Sequence, residues 1–370
     1  MDVFAGATAA ICPLGDNLEV IFEQMCFGKS GIKTSENCFD LPGDHSLAIM
    51  PPGYESPMSK LKTMLCRSID DSLLKLTQPK LLTDSNTQVV ICSTKGEINK
   101  LSTKNSNEAG LYTLGNFVKN HYKLAHTPLI ISNACVSGIS GIINGARSLK
   151  SKQAQNVLVI GADLVSKFTL SGFLSFFATD EQVCRPYDSD RKGINLGEAA
   201  ACIWMSSNAG IFKKATAKYL GGACVNDANH ISGPSRTGEG LYRATKLTLQ
   251  EANLQPQSID YINAHGTATQ YNDEMEAIAF NRLQLQNTPL NSFKAYLGHT
   301  LGAAGLIESA IALKCMENNT LLTSLGFKKQ GTSQSLEVIT QTRSRDIQTI
   351  LKTGSGFGGT NAAVIFSKNG

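Results

Sequence analysis

Short apolar runs alternate with amphipathic stretches along most of the chain, and this alternation predicts strands and helices in turn. Apolar runs of strand length occur at residues 88–92, 128–132, 157–161, 200–204, 261–263 and 362–366. Helical spacing of apolar positions occurs at 18–26, 61–76, 111–123, 139–150, 235–252, 274–280 and 306–318. Such alternation is typical of α/β proteins in which helices cover a buried sheet. The polar or mixed stretches 93–110 and 165–195 predict long loops.

Two segments of the chain resemble each other at a fixed offset. When Cys135 is aligned with His299, six of the following sixteen positions are identical. A looser match pairs residues 90–96 with residues 261–266. The long period excludes an array of short repeats and predicts two similar halves. We place them at residues 1–208, which carry the cysteine, and 209–370, which carry the histidine.

Composition narrows the classes of protein. The 370 residues carry a net charge of +4 without a run of like charges, which does not indicate nucleic-acid binding. We see neither a signal peptide nor an apolar run long enough to cross a membrane. Ten scattered cysteines without a Cys-x-x-Cys pair argue against a metal site and favour the reducing cytoplasm. Cys92, Cys202 and Cys224 lie in strand-like runs, so we expect small core residues.

One cysteine follows a predicted strand and precedes a predicted helix. Cys135 lies between the apolar run 128–132 and the helix predicted at 139–150. Backbone N–H groups at a helix start are unpaired and favour thiolate over thiol. We therefore expect Cys135 to be a nucleophile. The simpler alternative is a small buried residue of the core.

The second half contains polar groups that could act with this thiol. His265 and His299 each lie beside a glycine, and Thr267 and Thr269 place hydroxyl groups next to the first histidine. A histidine in such a position is often only a turn residue with one hydrogen bond. The repeat favours a shared site instead, because it puts Cys135 and His299 at matching helix starts.

Two charged residues and a glycine-rich segment accompany these histidines. Lys294 precedes His299 by five residues, and Glu308 follows it by nine. Segment 353–361 is rich in glycine, and such a turn exposes backbone N–H groups that can stabilise an oxyanion. The alternatives are solvated surface charges for Lys294 and Glu308 and a simple strand-entry turn for the segment.

Taken in order, these motifs resemble those of the β-ketoacyl synthases, the condensing enzymes of fatty-acid and polyketide synthesis. The resemblance rests on residues 133–138, 265–269, 298–305 and 356–361 together with Lys294. It covers nearly the whole chain in order and spacing. It implies the α/β thiolase fold, in which two pseudo-repeated βαβαβ halves form a five-layered αβαβα core.

The resemblance also implies a reaction, a decarboxylative Claisen condensation in chain elongation. Cys135 would accept an acyl chain, and a malonyl group would then lose CO₂ to give an enolate. His265 and His299 would donate hydrogen bonds to the enolate oxygen. Lys294 and Glu308 match a pair that supports these histidines electrostatically.

Further residues match the oxyanion and substrate positions of the family. The backbone N–H groups of Cys135 and Phe357 would hold the oxyanion, and Phe357 also matches a residue that gates the pocket. Thr267, Thr269 and Ser232 match positions that contact the pantetheine arm. No cysteine follows Cys315, whereas thiolases require a second reactive cysteine near the C-terminal glycine-rich motif.

The implied partner is an acyl carrier protein, and the implied assembly is a homodimer, with a heterodimer as the alternative. The family requires no cofactor or metal, because its substrates are carried on the phosphopantetheine arm of the carrier. The alternative function is a chain-length or non-elongating subunit that binds carrier protein while its partner does the chemistry. Lys60, Lys62 and Arg67 fall where relatives present a basic patch to the carrier, although such charges are often only solvated.

Overall fold

The computed structural model describes residues 1–55, 57–101, 106–229 and 233–369. The strands are β1 (Val3–Ile11), β2 (Lys33–Glu36), β3 (Asp44–Leu47), β4 (Thr87–Cys92), β5 (Leu129–Ile131), β6 (Asn156–Asp163), β7 (Ala199–Ser206), β8 (Ala215–Asn226), β9 (Tyr261–Asn263), β10 (Leu290–Asn291), β11 (Thr320–Leu321), β12 (Arg343–Ser344), β13 (Thr349–Gly356) and β14 (Thr360–Lys368). The helices are α1 (Leu18–Cys26), α2 (Lys60–Leu73), α3 (Leu111–Tyr122), α4 (Ser137–Lys150), α5 (Lys167–Ser175), α6 (Glu239–Ala252), α7 (Gln270–Arg282), α8 (Lys294–Leu297) and α9 (Ala304–Glu317). No helix among these residues is long and apolar enough to span a membrane.

Ten strands form one sheet whose two five-stranded halves have the same strand order. The first half is ordered β5-β4-β6-β7-β1 and the second β10-β9-β13-β14-β8. The antiparallel pair β1–β8 joins them. The two sequence matches fall on equivalent elements, because β4 and β9 hold the same place in their halves and α4 and α9 follow Cys135 and His299. The exact boundary between residues 208 and 209 stays a prediction.

Helices occupy three layers around these two halves. The largest hydrophobic core contains α4 and α9 together with side chains from both halves of the sheet. Helices α2 and α3 pack on the outer face of the first half, and α6 and α7 pack on the outer face of the second. The order helix, sheet, helix, sheet, helix confirms the predicted five-layered αβαβα core.

Strand β6 shows why the apolar runs are continuous rather than alternating. Its eight residues are all buried. Val157 and Val159 face the central helices, whereas Leu158 and Ile160 face the outer helices. A strand covered on both faces needs apolar side chains at every position, as expected for a sheet between helical layers.

The structure corrects the prediction of one continuous loop at 165–195. Helix α5 lies inside this stretch and begins at a capping box, in which the side chains of Ser166 and Thr169 each bond to the other's backbone N–H. Its helical pattern is weak because only Thr169 and Leu170 are buried. Capping and packing of this short segment therefore decide its conformation.

The structure also corrects the expectation for one of the cysteines. Cys92 and Cys202 are buried core residues as predicted, but Cys224 is exposed on β8. Strand β8 carries two adjacent glycines and a lysine, so its apolar residues do not form a continuous run. The strand-like setting of Cys224 therefore gave the element type but not the burial.

Candidate active site

The turn before α4 presents Cys135 at the start of that helix. Ala134 has a φ of 44°, which is uncommon for a residue other than glycine. The N–H groups of Val136 and Ser137 donate to the carbonyls of Asn133 and Ala134, at 3.1 and 3.2 Å. Asn133 N–H in turn donates to the Ser137 hydroxyl at 2.8 Å. This closed turn fixes the backbone that carries the sulfur.

The expectation of a resting thiolate at Cys135 is wrong. Burial raises the pKa of this thiol to about 11, although Lys294, the N–H of Phe357 and Lys95 oppose the shift. The first N–H groups of the turn bond to carbonyls of the turn itself rather than to the sulfur. The helix start therefore does not outweigh desolvation, and the proton must leave when a substrate is bound.

A loop anchored by two carboxylates carries His265. Glu276 accepts hydrogen bonds from the N–H groups of His265 at 2.9 Å and Gly266 at 2.6 Å. Asp273 accepts from the N–H of Thr267 at 3.0 Å. Both carboxylates lie on α7, one helical turn apart, so that helix fixes the path of the loop after β9. No motif indicated these two residues, although an acidic pair spaced for one face of a helix is a readable signal.

His299 is held by backbone contacts to the first half. Its N–H donates to the Asn195 carbonyl at 2.7 Å, and its carbonyl accepts from Gly197 N–H at 3.0 Å. Within the described part of the chain, neither ring nitrogen has a hydrogen-bond partner, although both are buried. Because buried polar atoms are normally paired, these nitrogens are suited to a bound substrate.

The three sequence-predicted residues meet in one place. The Cys135 sulfur and one ring nitrogen from each of His265 and His299 lie within 4.8 Å of one another. The two imidazole rings cross at 83°, with centroids 5.3 Å apart. Sulfur and imidazole nitrogen also ligate zinc, so the absence of a metal stays a prediction.

Both histidines are neutral in this setting. Burial holds the pKa of His265 and His299 well below the ordinary value of 6.5, and the positive charges of Lys294 and Lys352 lower it further. A neutral imidazole carries one N–H donor and one acceptor nitrogen. Two N–H groups can therefore point at an oxygen near the sulfur without a net charge on either ring.

Three buried charges lie beside the histidines. Lys294 forms an ion pair with Oε1 of Glu308, as the sequence predicts for these two residues. Lys352 lies 2.6 Å from Oε2 of the same carboxylate and was not among the candidates. Although burial opposes it, the two lysines hold the pKa of Glu308 below its ordinary value. The group is therefore a charged network inside the central layer rather than a set of solvated charges.

The glycine-rich segment forms the hairpin between β13 and β14 and reaches the sulfur. The N–H of Phe357 lies beside Cys135 and acts to lower the pKa of its thiol. A Cβ on Gly356 would lie 3.0 Å from the Cys135 nitrogen and 2.9 Å from Thr360 Oγ1, so the close approach requires glycine. The hairpin therefore supplies a backbone donor at the place predicted for the oxyanion.

Phe357 also forms one wall of a cavity of about 370 Å³ that opens above the three residues. Its ring stacks on Phe173 with centroids 5.5 Å apart and meets Phe176 at 5.4 Å. Thr267 and Thr269 line the same cavity, with their hydroxyl oxygens 2.8 Å apart. The third residue predicted to contact the pantetheine arm, Ser232, lies outside the described residues.

Asp163 is a further residue that no motif indicated. Its buried carboxylate accepts hydrogen bonds from the Ser93 hydroxyl at 2.7 Å, Thr94 N–H at 2.9 Å and Gly302 N–H at 2.7 Å. It ties the loop after β4 to the segment that follows His299. A single aspartate at a strand end carries no sequence signal for this role.

The basic residues considered for carrier binding make internal contacts. Lys60 lies 2.9 Å from the buried carboxylate of Glu198, and Lys62 lies 3.2 Å from Glu97. The guanidinium of Arg67 lies 4.4 Å from the ring centre of Tyr54. Because contacts within the chain already explain these three charges, the basic patch for an acyl carrier protein stays a prediction.

The fold and the motifs agree with comparisons to known proteins. The model of the β-ketoacyl synthase N-terminal domain matches residues 76–209, and that of the C-terminal domain matches residues 216–328. The chain belongs to the β-ketoacyl synthase family.

Relatives in this family act in more than one pathway. The chain is 30% identical to 3-oxoacyl-(acyl-carrier-protein) synthase 2 of Coxiella burnetii over 67% of its own length and 63% of the relative. It is 28% identical to the actinorhodin polyketide putative beta-ketoacyl synthase 1 of Streptomyces coelicolor, over 64% of this chain and 54% of that protein. The match thus spans somewhat less than two thirds of these relatives.

Solved structures share the whole fold. A beta-ketoacyl synthase from Burkholderia phymatum superposes with a TM-score of 0.89 at 22% identity, covering 100% of both chains. The ketosynthase ApeO, solved with its chain length factor ApeC from Xenorhabdus doucetiae, gives 0.86 at 23% identity and covers 100% of this chain and 98% of that one. These likenesses confirm the thiolase-type fold of the prediction.

Proposed function

We propose that this protein is a β-ketoacyl synthase that condenses a Cys135-bound acyl chain with a malonyl group on an acyl carrier protein. The observation that carries the proposal is the convergence of the Cys135 sulfur with His265 and His299 within 4.8 Å. The Phe357 N–H beside the same sulfur would add the oxyanion donor that acyl transfer requires.

In the first half-reaction, the Cys135 sulfur attacks the acyl carbonyl of a carrier-bound thioester. The thiol proton leaves with the carrier's own sulfur, so a new thioester forms as the old one breaks. The N–H groups of Cys135 and Phe357 hold the oxyanion during the attack. Removing one donor of this kind typically costs about 10²–10³ in rate.

In the second half-reaction, malonyl loses CO₂ and its electron pair forms an enolate. The N–H groups of His265 and His299 stabilise the enolate oxygen, which neutral imidazoles in a buried site do effectively. The enolate carbon attacks the acyl-Cys135 carbonyl, and the sulfur leaves as thiolate and regains a proton. The product is a carrier-bound β-ketoacyl chain, longer by two carbons.

The cavity provides a binding place for the phosphopantetheine arm that carries the substrate. Thr267 and Thr269 stand above the reacting atoms with paired hydroxyls and supply donors for the amides of a phosphopantetheine arm. On this proposal the enzyme needs no resident cofactor or metal, and its partners are an acyl carrier protein and a second subunit. A cytoplasmic location belongs to the same proposal and is checked by cell fractionation.

Intact-protein mass spectrometry with acyl carrier protein thioesters tests the proposal. Wild type should gain one acyl group, Cys135→Ala should gain none, and Cys224→Ala, which removes an exposed cysteine elsewhere, should behave like wild type. Malonyl carrier protein should then release a product two carbons longer. If Cys135→Ala is acylated as fully as wild type, the catalytic role of this thiol is refuted. Acylation without any condensation would instead favour the alternative, a subunit that requires a catalytic partner.

A further inference from the structure

A lysine occupies a position in the central layer where the sheet otherwise presents apolar side chains. Lys352 lies on β13, paired with Asn263 of β9 and Val364 of β14. Ile350, two residues earlier on the same face, belongs to the core around α4 and α9. Only 1% of Lys352 is exposed. An ammonium in such a place requires partners that compensate for its lost hydration.

The partners of Lys352 come from three segments of the active site. Its Nζ lies 2.6 Å from Glu308 Oε2 and donates to the carbonyl of Thr353 at 2.8 Å and that of Asn263 at 3.4 Å. Asn263 is two residues before His265. Glu308, Thr353 and Asn263 thus each lie on a segment that also carries one of the proposed site residues.

The other oxygen of the same carboxylate completes the arrangement. Glu308 Oε1 pairs with Lys294, which lies five residues before His299. Lys352 lies five residues before Phe357. One carboxylate, held by two ammonium groups, therefore connects the segments of His299 and Phe357, and the bond from Lys352 to Asn263 adds the segment of His265.

We propose that Lys352 is a positioning residue of this site. Its buried ammonium holds the β13–β14 hairpin, which carries Phe357, in place relative to the two histidines and adds the positive charge beside them. The inference rests on the proposed function. Lys352 does not touch the reacting atoms and acts through Glu308 and Asn263. It makes the local charge of the lysine–glutamate–lysine group positive, which disfavours protonation of either imidazole and favours a developing enolate.

The charged groups around this ammonium come from three elements. Glu308 lies on α9, Lys294 on α8 and Glu276 on α7. Burial lowers the pKa of Lys352, and Lys294 lowers it further, whereas Glu308 and Glu276 oppose this shift. Both histidines respond in turn, because Lys352 contributes to the lowering of the pKa of His265 and His299, after burial and Lys294. Removing this ammonium should therefore raise the pKa of both imidazoles while the Lys294–Glu308 pair remains.

Lys352→Met is the direct test, because it keeps the unbranched apolar stem of the side chain, one atom shorter, and removes the charge and its hydrogen bonds. Acylation of Cys135 should fall less than decarboxylation, because no charge on this network touches the acyl group and only a shift of the hairpin that carries Phe357 affects this step. Decarboxylation of malonyl carrier protein should fall at least tenfold, a loss that corresponds to about 1.4 kcal/mol. The acid limb of the pH–rate profile for decarboxylation should move up by about one pH unit, as expected when one nearby cation is removed. Lys368→Met, at the half-buried end of β14, is the matched control and should leave all three measurements unchanged.

The outcomes separate this inference from the function on which it rests. If wild type is neither acylated nor active, the proposed function fails. If wild type is active and Lys352→Met decarboxylates malonyl carrier protein with an unshifted acid limb, the inference is overturned, whatever happens to the melting temperature. If Lys352→Met does not fold, Lys352→Gln, which keeps a donor for the Thr353 carbonyl, takes its place with the same criteria. The wild type alone gives a last check, because an acid limb at or above the ordinary histidine value of 6.5 contradicts the positive surroundings.

Discussion

Glu276 offers the sharpest test of how the structure holds His265. Its Oε1 accepts the N–H of His265 at 2.9 Å. Its Oε2 accepts from Gly266 N–H at 2.6 Å, the Tyr187 hydroxyl at 2.9 Å and the Asn272 amide at 3.0 Å. Glu276→Gln replaces one acceptor oxygen by an amide group that can only donate. The amide oxygen goes to the Oε2 position, where three donors meet, so the N–H of His265 faces another donor.

The magnitude follows from these contacts. A buried donor left without a partner costs about 1–3 kcal/mol. The three remaining bonds weaken as their acceptor loses its charge, but burial already raises the pKa of Glu276, so removing that charge returns part of the loss. We expect a net destabilisation of about 2 kcal/mol, within the range for an unsatisfied buried group. Displacement of the His265 segment should also slow decarboxylation by about tenfold or more, part of what a lost oxyanion donor costs.

Urea unfolding and decarboxylation of malonyl carrier protein measure the two effects. Glu274→Gln, on the same helix, is the matched control, because its carboxylate accepts from the N–H of exposed Ser333 at 2.9 Å. Its free energy of unfolding should change by about 0.5 kcal/mol or less, as is usual for surface positions. The reasoning is refuted if the two variants are equally stable and equally active, since the backbone bond of His265 would then carry no energy.

Two further predictions concern pH and packing. Burial and the lysines keep His265 and His299 neutral in the folded chain. Below pH 6.5, the ordinary histidine pKa, the unfolded chain therefore binds more protons than the folded chain, and the free energy of unfolding should fall as the pH drops. Each histidine should contribute about 1.4 kcal/mol per pH unit, so His299→Asn should flatten the slope seen by urea unfolding, whereas an unchanged slope contradicts neutrality. Gly356→Ala should cost about 1–3 kcal/mol and slow acylation of Cys135, because its Cβ would lie 3.0 Å from the Cys135 nitrogen. The control Gly172→Ala, in open space on α5, should be neutral or slightly stabilising in thermal unfolding, and equal effects of the two changes would count against the packing argument.

Position along the chain was enough to select the candidate site residues that the fold brings together. Cys135 and His299 occupy matching helix starts in the two halves, and the glycine-rich segment with Phe357 follows them along the chain. The helix at 18–26 and the strand at 261–263 coincide with α1 and β9. An apolar period and a turn that needs glycine are visible in neighbouring residues, and the repeat is visible when the two halves of the sequence are aligned.

The surroundings of those residues depend on how the folded chain packs. Whether the Cys135 sulfur rests as thiol or thiolate depends on how deeply it is buried, and desolvation is a property of the packed chain rather than of a motif. Lys352 and Asp163 carry no sequence signal because their partners lie far along the chain, on α9 for one and beyond His299 for the other. Local patterns in the sequence predicted most of the elements, their repetition and the three groups that meet. The fold determined their distances, charges and hydrogen bonds, because these depend on contacts between the two halves that no local pattern contains.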